Sequence, residues 1–419
     1  MLVMKFGGAS VKDAANVRNV AQIISAHTDF PLLVVISAMD KTTNELELLA
    51  DYAEKGHKAE IETQFQKIKH FHSNIIQNLF SEEDCKKAEE HLAPYWEELW
   101  QIVQGILFLK EFPPLTYDRV VAFGELVSTK IVSLYFATQN QDCRFLDARS
   151  IIKTDLHYGQ AKVIWSLTNE NVQKLVKPLL QSQRIVITQG FIASAISGKT
   201  TTLGREGSDY TAAIFSYCLD AEKMIVWKDV PGILNADPRI HENPVQIMKL
   251  SYQQAVQMTF YGATVIHPKT IQPLYHKHIP LYVRSFKDMN ALGTCISAEE
   301  DTEKTPTYLR KSKQVLIKIT PKDFSFIDEI LLQEVFQHAN HTGLKINLSQ
   351  TTAIYLWLCA DSQENSLKKF EASLLDKFVF EIQKDLTLFA VLNYKETDLA
   401  LTKEANVMQI VEDKLLWVK

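Results

Sequence analysis

Charged and hydroxyl side chains capable of chemistry gather at three glycine-bearing turns. In VMKFGGASV (residues 3–11) an apolar strand runs through Lys5 into Gly7, Gly8 and the small residues Ala9 and Ser10. A glycine pair lets backbone N–H groups turn towards an anion, and a helix starting there adds its positive end; an ordinary strand-to-helix turn fits the same letters. TTTLGREGSDYTAA (200–213) sets Arg205 before a helix and Asp209 within its first turn. Such a loop offers N–H groups and a dipole to phosphate, and arginine offers a planar fork to a carboxylate. A plain capped helix, with Asp209 complementing the dipole, is the competing description; Arg205 between two glycines weighs against it. KDVPGILNADPR (228–239) gathers Asp229, Asp237 and Arg239 in a loop that, alone, is an ordinary Pro/Gly turn.

Two further stretches add polar groups. ISAMDKTTNEL (36–46) puts Ser37 and Thr43 just beyond an apolar run, where ligands of open α/β sheets bind, although both residue types also cap helices routinely. AFGELVST (122–129) places Glu125 in a largely apolar helical neighbourhood. A satisfied or solvent-reaching carboxylate is the common case there, and a buried one needs a cation.

These groups need elements to hold them. VMKF, LLVVISA, CRFLDARSI, RIVITQGFIA, KMIVWKDV and PLYVRSF have the short apolar runs of strands. Between them lie helical patterns: Val17, Val20 and Ile24, then NENVQKLVKPLL, SDYTAAIFSYCL and SYQQAVQMTFYGA. The alternation predicts a layered α/β unit over 1–290 with right-handed crossovers and a mostly parallel sheet. Residues 51–115 are charged and helical, with Ser81 ahead of Glu83 and Asp84 as a helix start, and predict a helical insertion with a solvated face. A polar, broken stretch, 291–312, predicts a linker. QVLIKITP, FIDEILLQEVFQHAN, KINLSQ, IYLWLCA, NSLKKFEASLLDK and FVFEIQ then spell βαββαβ over 313–385, and LTLFAVLNY opens a shorter segment, 386–419.

With 419 residues, 46% hydrophobic and 23% charged, the chain is globular and sized for roughly two to four domains. A net charge of -5, a pI near 6.2 and the lack of a basic stripe argue against a nucleic-acid binder and favour a small-molecule ligand. Cys85, Cys143, Cys218, Cys295 and Cys359 form no CxxC pair, as expected of reduced thiols in the cytoplasm. No run approaches the roughly 20 apolar residues of a membrane span, and no leader pattern opens the chain. A cytoplasmic protein without a membrane partner is expected.

Taken together, KFGGAS, SAMDKTTN, FGELVST, TTLGREGSDYTAA, KDVPGILNADPR and YGATVIHPKT resemble, in order and approximate spacing, the motifs of aspartokinases, members of the amino acid kinase superfamily. The βαββαβ segment resembles their ACT domain. The resemblance implies the amino acid kinase fold, a mostly parallel central sheet with helices on both faces, followed by a ferredoxin-like ACT region. It implies transfer of the γ-phosphoryl group of ATP to the β-carboxylate of L-aspartate, with Mg²⁺, giving 4-phospho-L-aspartate and ADP, the first step towards lysine, threonine and methionine. Lys5 matches the lysine that neutralises the transferring group, Gly7 and Gly8 the glycines near phosphate, and Asp209 the carboxylate that organises Lys5; Ser37 and Ser208 line the transfer region. Arg205 matches the grip on the α-carboxylate, Glu125 the partner of the ammonium group and Thr43 a further substrate contact. Lys228, Asp229, Leu234, Arg239 and Thr264 fall where the family meets ATP. No residue is matched to a metal ligand.

The chain departs from the family pattern at Ala9, Glu206, Leu234 and Thr264, commonly threonine, glycine, an aromatic and lysine. Either Ser10 or water replaces the hydroxyl lost at Ala9, or its loss slows the reaction. Glu206 is expected to compete for the Arg205 guanidinium. The family likeness further implies a homodimer or larger assembly with an amino-acid effector at the ACT region. Asn347 and Ala353 stand where lysine-inhibited relatives have carboxylates, so weak or absent lysine feedback is expected. Another amino acid kinase, or a catalytically weak amino-acid sensor, is the alternative function.

Overall fold

The computed structural model describes residues 1–27, 29–139, 143–182, 185–263, 266–299 and 304–419. They form two compact units, Met1–Ile233 with Met248–Tyr252 and Ile266–Glu300, and Leu234–Ile247 with Gln253–Val265 and Asp301–Lys419.

The first unit is built on an eight-stranded sheet ordered 249–251, 294–297, 281–285, 223–228, 2–6, 32–36, 185–189, 143–146. The six strands from Leu281–Ser285 to Cys143–Leu146 are mutually parallel, as the alternating pattern predicts, and Thr294–Ser297 runs against them. Every residue of Leu2–Phe6, Leu32–Ile36 and Ile185–Gln189 is buried, which explains their near-continuous apolar sequences: both faces of the sheet are covered. Helix Ala14–Ser25 is capped by Asp13, whose carboxylate accepts the Asn16 N–H, and turns Val17, Val20 and Ile24 inward. Helix Gly207–Leu219 is buried over most of its length, so its first turn is held rigidly.

The insertion consists of helices Lys58–Leu79 and Glu82–Leu109, flanked by Thr42–Lys55 and Pro114–Thr138. Ser81 caps the second, its hydroxyl accepting the Asp84 N–H. Between the pair, His72 is fully buried beside Trp96, and burial lowers its pKa to about 4. Helix Pro114–Thr138 is long and apolar enough by composition to cross a membrane, but it is a core helix with Val120, Val121, Ile131, Val132 and Phe136 wholly enclosed.

The second unit contains a six-stranded antiparallel sheet ordered 346–351, 356–361, 307–321, 378–392, 414–418, 407–411. Its first four strands, with helices Glu329–Thr342 and Glu364–Leu374, make the expected βαββαβ around Ile317, Val335, Leu358 and Phe370. FVFEIQ and LTLFAVLNY, separate strands in the sequence reading, form one strand, Phe378–Leu392. It pairs along its length with Thr307–Pro321, and where the pairing shifts register Lys313 and Asp385 both adopt left-handed backbone, φ 58° and 59°. Beyond that corner Phe378–Leu392, still paired with Thr307–Pro321, takes the hairpin 407–418 on its other edge through Leu388–Leu392 and Lys414–Val418.

Among the described residues, strands enter the expected linker 291–312 at two places. Thr294–Ser297 belongs to the first unit's sheet and Thr307 starts the long strand of the second. Residues 234–247 and 253–263 likewise group with the second unit, so 1–290 is not one uninterrupted block.

Candidate active site

The C-terminal ends of the parallel strands open onto a cleft of about 610 Å³, the side on which α/β sheets bind ligands. Lys5, Ser37, Thr43, Glu125, Arg205, Ser208, Asp209 and Lys228 all line it, although the sequence spreads them over more than two hundred residues.

Lys5 stands near the end of the central strand, opposite Val35 and Val226. Its Nζ lies 2.6 Å from Asp209 Oδ1, and Lys228 Nζ lies 3.3 Å from Oδ2. Burial works to raise the Asp209 pKa, but the two ammonium groups outweigh it and hold the carboxyl below its ordinary value. One carboxylate therefore orients two cations at the start of a helix, where unpaired N–H groups add further positive potential. A Cβ on Gly7 would sit 3.4 Å from Lys5 Nζ, which places the ammonium beside the glycine turn. Gly8 answers a different demand: a Cβ there would approach Ala38 O to 2.7 Å and Asp40 O to 2.8 Å, so glycine lets two loops touch. Ser10, next to the exposed Ala9, is buried and donates to Trp227 O at 3.4 Å.

Glu125 is 3% exposed. Its Oε1 accepts the Ala38 N–H at 3.2 Å, and Oε2 has no hydrogen-bond partner among the described residues. Burial pushes its pKa up to about 8, against the opposing Ala38 N–H and the Lys5 charge. A buried carboxyl with a free oxygen is a ready receptor for a cation brought by a ligand. The helix reaches this position because Gly124 has no side chain: a Cβ would come within 2.8 Å of Ala38 Cβ. Ser128 reinforces the approach by donating to Ser37 O at 2.6 Å.

Arg205 is exposed at the mouth of the loop. Glu206, next to it, adopts φ 54° and is drawn inward, with Oε2 enclosed and unpartnered. No ion pair joins Arg205 and Glu206 among the described residues, although the Arg205 charge is among those acting on the Glu206 carboxyl. Burial raises the Glu206 pKa, and Lys228 is the strongest charge opposing it.

The nucleotide assignments divide. Asp229 is exposed beyond the strand carrying Lys228. Leu234 and Arg239 belong to the second unit, and the Arg239 guanidinium is paired with Asp237 at 2.8 and 3.0 Å. Thr264 lies outside the described residues. Sequence reasoning passed over Glu47, Tyr117, Gln160 and Phe191, which also line the cleft, and Gly190, which packs against Ser208. Tyr117 donates to Glu47 and Asp118 is buried beside it, yet neither stands in a glycine-marked turn that would draw notice.

The amino acid kinase family model matches residues 1–285. The chain is 31% identical over 367 residues to the lysine-sensitive aspartokinase 3 of Escherichia coli, covering 86% of this chain and 78% of that protein. It is 29% identical over 391 residues to the chloroplastic aspartokinase 1 of Arabidopsis thaliana, covering 91% and 67%. The structure of E. coli aspartokinase III in complex with aspartate and ADP (R-state) matches with a TM-score of 0.86 at 26% identity, over 100% of this chain and 96% of that one. The T-state structure with lysine and aspartate matches with a TM-score of 0.81 at 27% identity and the same coverage. The parallel sheet, the lysine-carboxylate cleft and the family match define an amino acid kinase. Within that family the chain belongs to the aspartokinases.

Proposed function

We propose that this cleft transfers the γ-phosphoryl group of ATP to the β-carboxylate of L-aspartate, giving 4-phospho-L-aspartate and ADP. The observation that carries the reading is the convergence in one cleft of a two-lysine, one-carboxylate cluster with Glu125 and Arg205, opposite partners for the two ionic groups of an α-amino acid. A carboxylate substrate is already a nucleophile, so the protein's task is positioning and neutralising charge. Arg205 takes the α-carboxylate and Thr43 a further substrate contact. Glu125 Oε2 takes the ammonium, whose charge draws the carboxyl pKa down from about 8 and stabilises its ionised form. The β-carboxylate then faces the γ-phosphorus beside Ser37 and Ser208. Lys5, held by Asp209, stabilises charge on the transferring group, and Lys228 assists from the other carboxylate oxygen. Gly7, Gly8 and Asp229 are the remaining nucleotide candidates of this unit.

Mg²⁺ supplies neutralisation of the phosphate charge when it arrives with the nucleotide. Among the described residues no group of three or more metal-ligating side chains is found. ATP use supports a cytoplasmic enzyme, where cysteines stay reduced. L-Aspartate-dependent ADP release, with the acyl phosphate trapped by hydroxylamine, tests the assignment; ADP release indifferent to aspartate, or no trapped product, overturns it. A sensor reading would leave the intact Lys5–Asp209–Lys228 cluster without a purpose. A kinase for nucleotides or N-acetylated substrates would leave Glu125 without an ammonium partner.

Glu206→Gly is expected to lower the KM for aspartate a few-fold and to raise the melting temperature. The substitution removes a carboxylate from the field of Lys228, Lys5 and Arg205 and relieves left-handed backbone strain of about 1 kcal/mol. Steady-state kinetics and thermal melting check both parts, and an unchanged or higher KM sinks the first.

For the second unit we propose an ACT region over 313–385, an abbreviated second segment over 386–419, and a homodimer or larger assembly. The left-handed corner at Lys313 and Asp385 supports the division. An amino-acid effector remains part of this proposal, but lysine is expected to inhibit weakly or not at all. The Asn347 side chain accepts from Lys311 Nζ at 2.8 Å and donates to Gln314 Oε1 and Asp361 Oδ1, each at 2.7 Å. Lys311 also pairs with Asp361 at 2.7 Å, so the chain's own ammonium already occupies this polar cluster. Titrating lysine into a coupled kinase assay checks the expectation, and strong inhibition refutes it.

A further inference from the structure

The helix that carries Glu125 carries a second carboxylate two turns earlier. Asp118 is wholly buried, and its partners come from two other segments. Oδ1 accepts the Thr202 hydroxyl at 2.8 Å and the Gly159 N–H at 2.9 Å; Oδ2 accepts the Thr202 N–H at 2.9 Å and the same Gly159 N–H at 3.1 Å. No cation pairs with it among the described residues.

Both segments border the cleft. Gly159 and Gln160 line it directly, and Thr202 ends the short strand Thr200–Thr202 that leads through Gly204 into Arg205. The segments also touch one another: Gly204 has φ 78°, and a Cβ there would lie 3.1 Å from both Gly159 O and Gln160 Cγ. Seven residues separate Asp118 from Glu125, two helical turns and about 10.5 Å, so both stand on one face of a rigid helix. Through one carboxylate that helix is tied to the base of the loop bearing Arg205. Only an ionised carboxylate accepts from all these donors at once, because an amide would turn an NH₂ group against an N–H.

We propose that Asp118 is a positioning residue for substrate selection: it sets the span between Glu125 and Arg205, and with it the fit to the ammonium and α-carboxylate of an amino acid. The inference rests on the aspartate reading of the cleft. Lys5, Asp209 and Lys228 lie outside its hydrogen-bond system, so the substrate side is affected before the phosphoryl side.

The test is steady-state kinetics with both substrates varied, alongside thermal melting, for Asp118→Asn, Thr202→Val and Thr202→Ser in the full chain. Asp118→Asn is expected to raise the KM for aspartate about tenfold or more, with the KM for ATP within about twofold. Thr202→Val, which removes one hydrogen bond, gives a smaller rise of roughly threefold, and Thr202→Ser keeps the parental value. If Asp118→Asn does not fold, the valine and serine variants decide. A lowered melting temperature with an unchanged aspartate KM, or equal rises in both KM values, overturns the positioning role. Should the parent enzyme show no aspartate-dependent ADP release, the functional reading fails instead, and the two failures are distinct.

Discussion

Lys5→Ala will lose about 10²–10³-fold in kcat while the protein stays folded. The ammonium at the end of the central strand sits 2.6 Å from Asp209, beside the Gly7 turn, where the proposed transfer develops phosphate charge. Its removal takes away transition-state stabilisation and leaves the amino-acid grip of Glu125 and Arg205 in place, so kcat falls much further than the aspartate KM rises. Stripping one partner from a buried ion pair commonly costs about 3–5 kcal/mol because a charge is left uncompensated. Here Lys228 remains 3.3 Å from the other Asp209 oxygen, which limits that cost. The rest of Leu2–Phe6 keeps its apolar burial and its pairing with two parallel neighbours. ADP release by the purified variant, with circular dichroism and melting as controls, checks the result. A folded variant with parental turnover would remove Lys5 from the chemistry.

That prediction could be framed from sequence because Lys5, Arg205 and Asp209 stand in segments whose letters encode both the turn and its chemistry. Glycine marks where the backbone must bend or be approached closely, and the charged residue beside it marks what is being bound. Elsewhere the determinants are contacts between distant segments. The Gly8 requirement comes from Ala38 and Asp40, and Ser10 is committed to a carbonyl 217 residues away. Asp118 reads as an ordinary helix-surface acid in TYDRVV until Gly159 and Thr202 fold onto it. The 291–312 segment looked like a linker because its strands are short or start beside polar residues, and Thr294–Ser297 alternates buried and half-buried positions too briefly to show a period. The long strand Phe378–Leu392 was divided because QKD interrupts its apolar pattern at the left-handed Asp385, where the strand pair changes partners.

Gly190 gives the sharpest case of a determinant invisible in sequence, and Gly190→Ala is expected to lower kcat/KM by roughly 10²-fold. The residue ends RIVITQG, where a glycine reads as nothing more than the close of a strand. A Cβ there would lie 2.5 Å from Ser208 Cβ, 2.6 Å from its Oγ and 2.8 Å from its Cα. Because the Cα is among the clashing atoms, no side-chain rotation relieves the overlap. Gly190 itself is held by hydrogen bonds to Ile36 O and from the Ile192 N–H, so the yielding part is the first turn of Gly207–Leu219, which must retreat by about 1 Å. That turn carries Ser208, Asp209 and the N–H groups offered to phosphate, so the phosphoryl side of the cleft loses alignment. Gly190 is not among the residues with positive φ, so alanine introduces steric overlap without backbone strain, and the expected loss of stability is an overpacking cost of about 1–3 kcal/mol. A double-mutant cycle with Ser208→Gly separates this from any general weakening. Removing Cβ and Oγ leaves only the 2.8 Å overlap, so the double variant should lose less activity than the two single losses combined. Strict additivity, or a Gly190→Ala enzyme with parental kcat/KM, would show that the strand end and the helix start are not coupled through this contact.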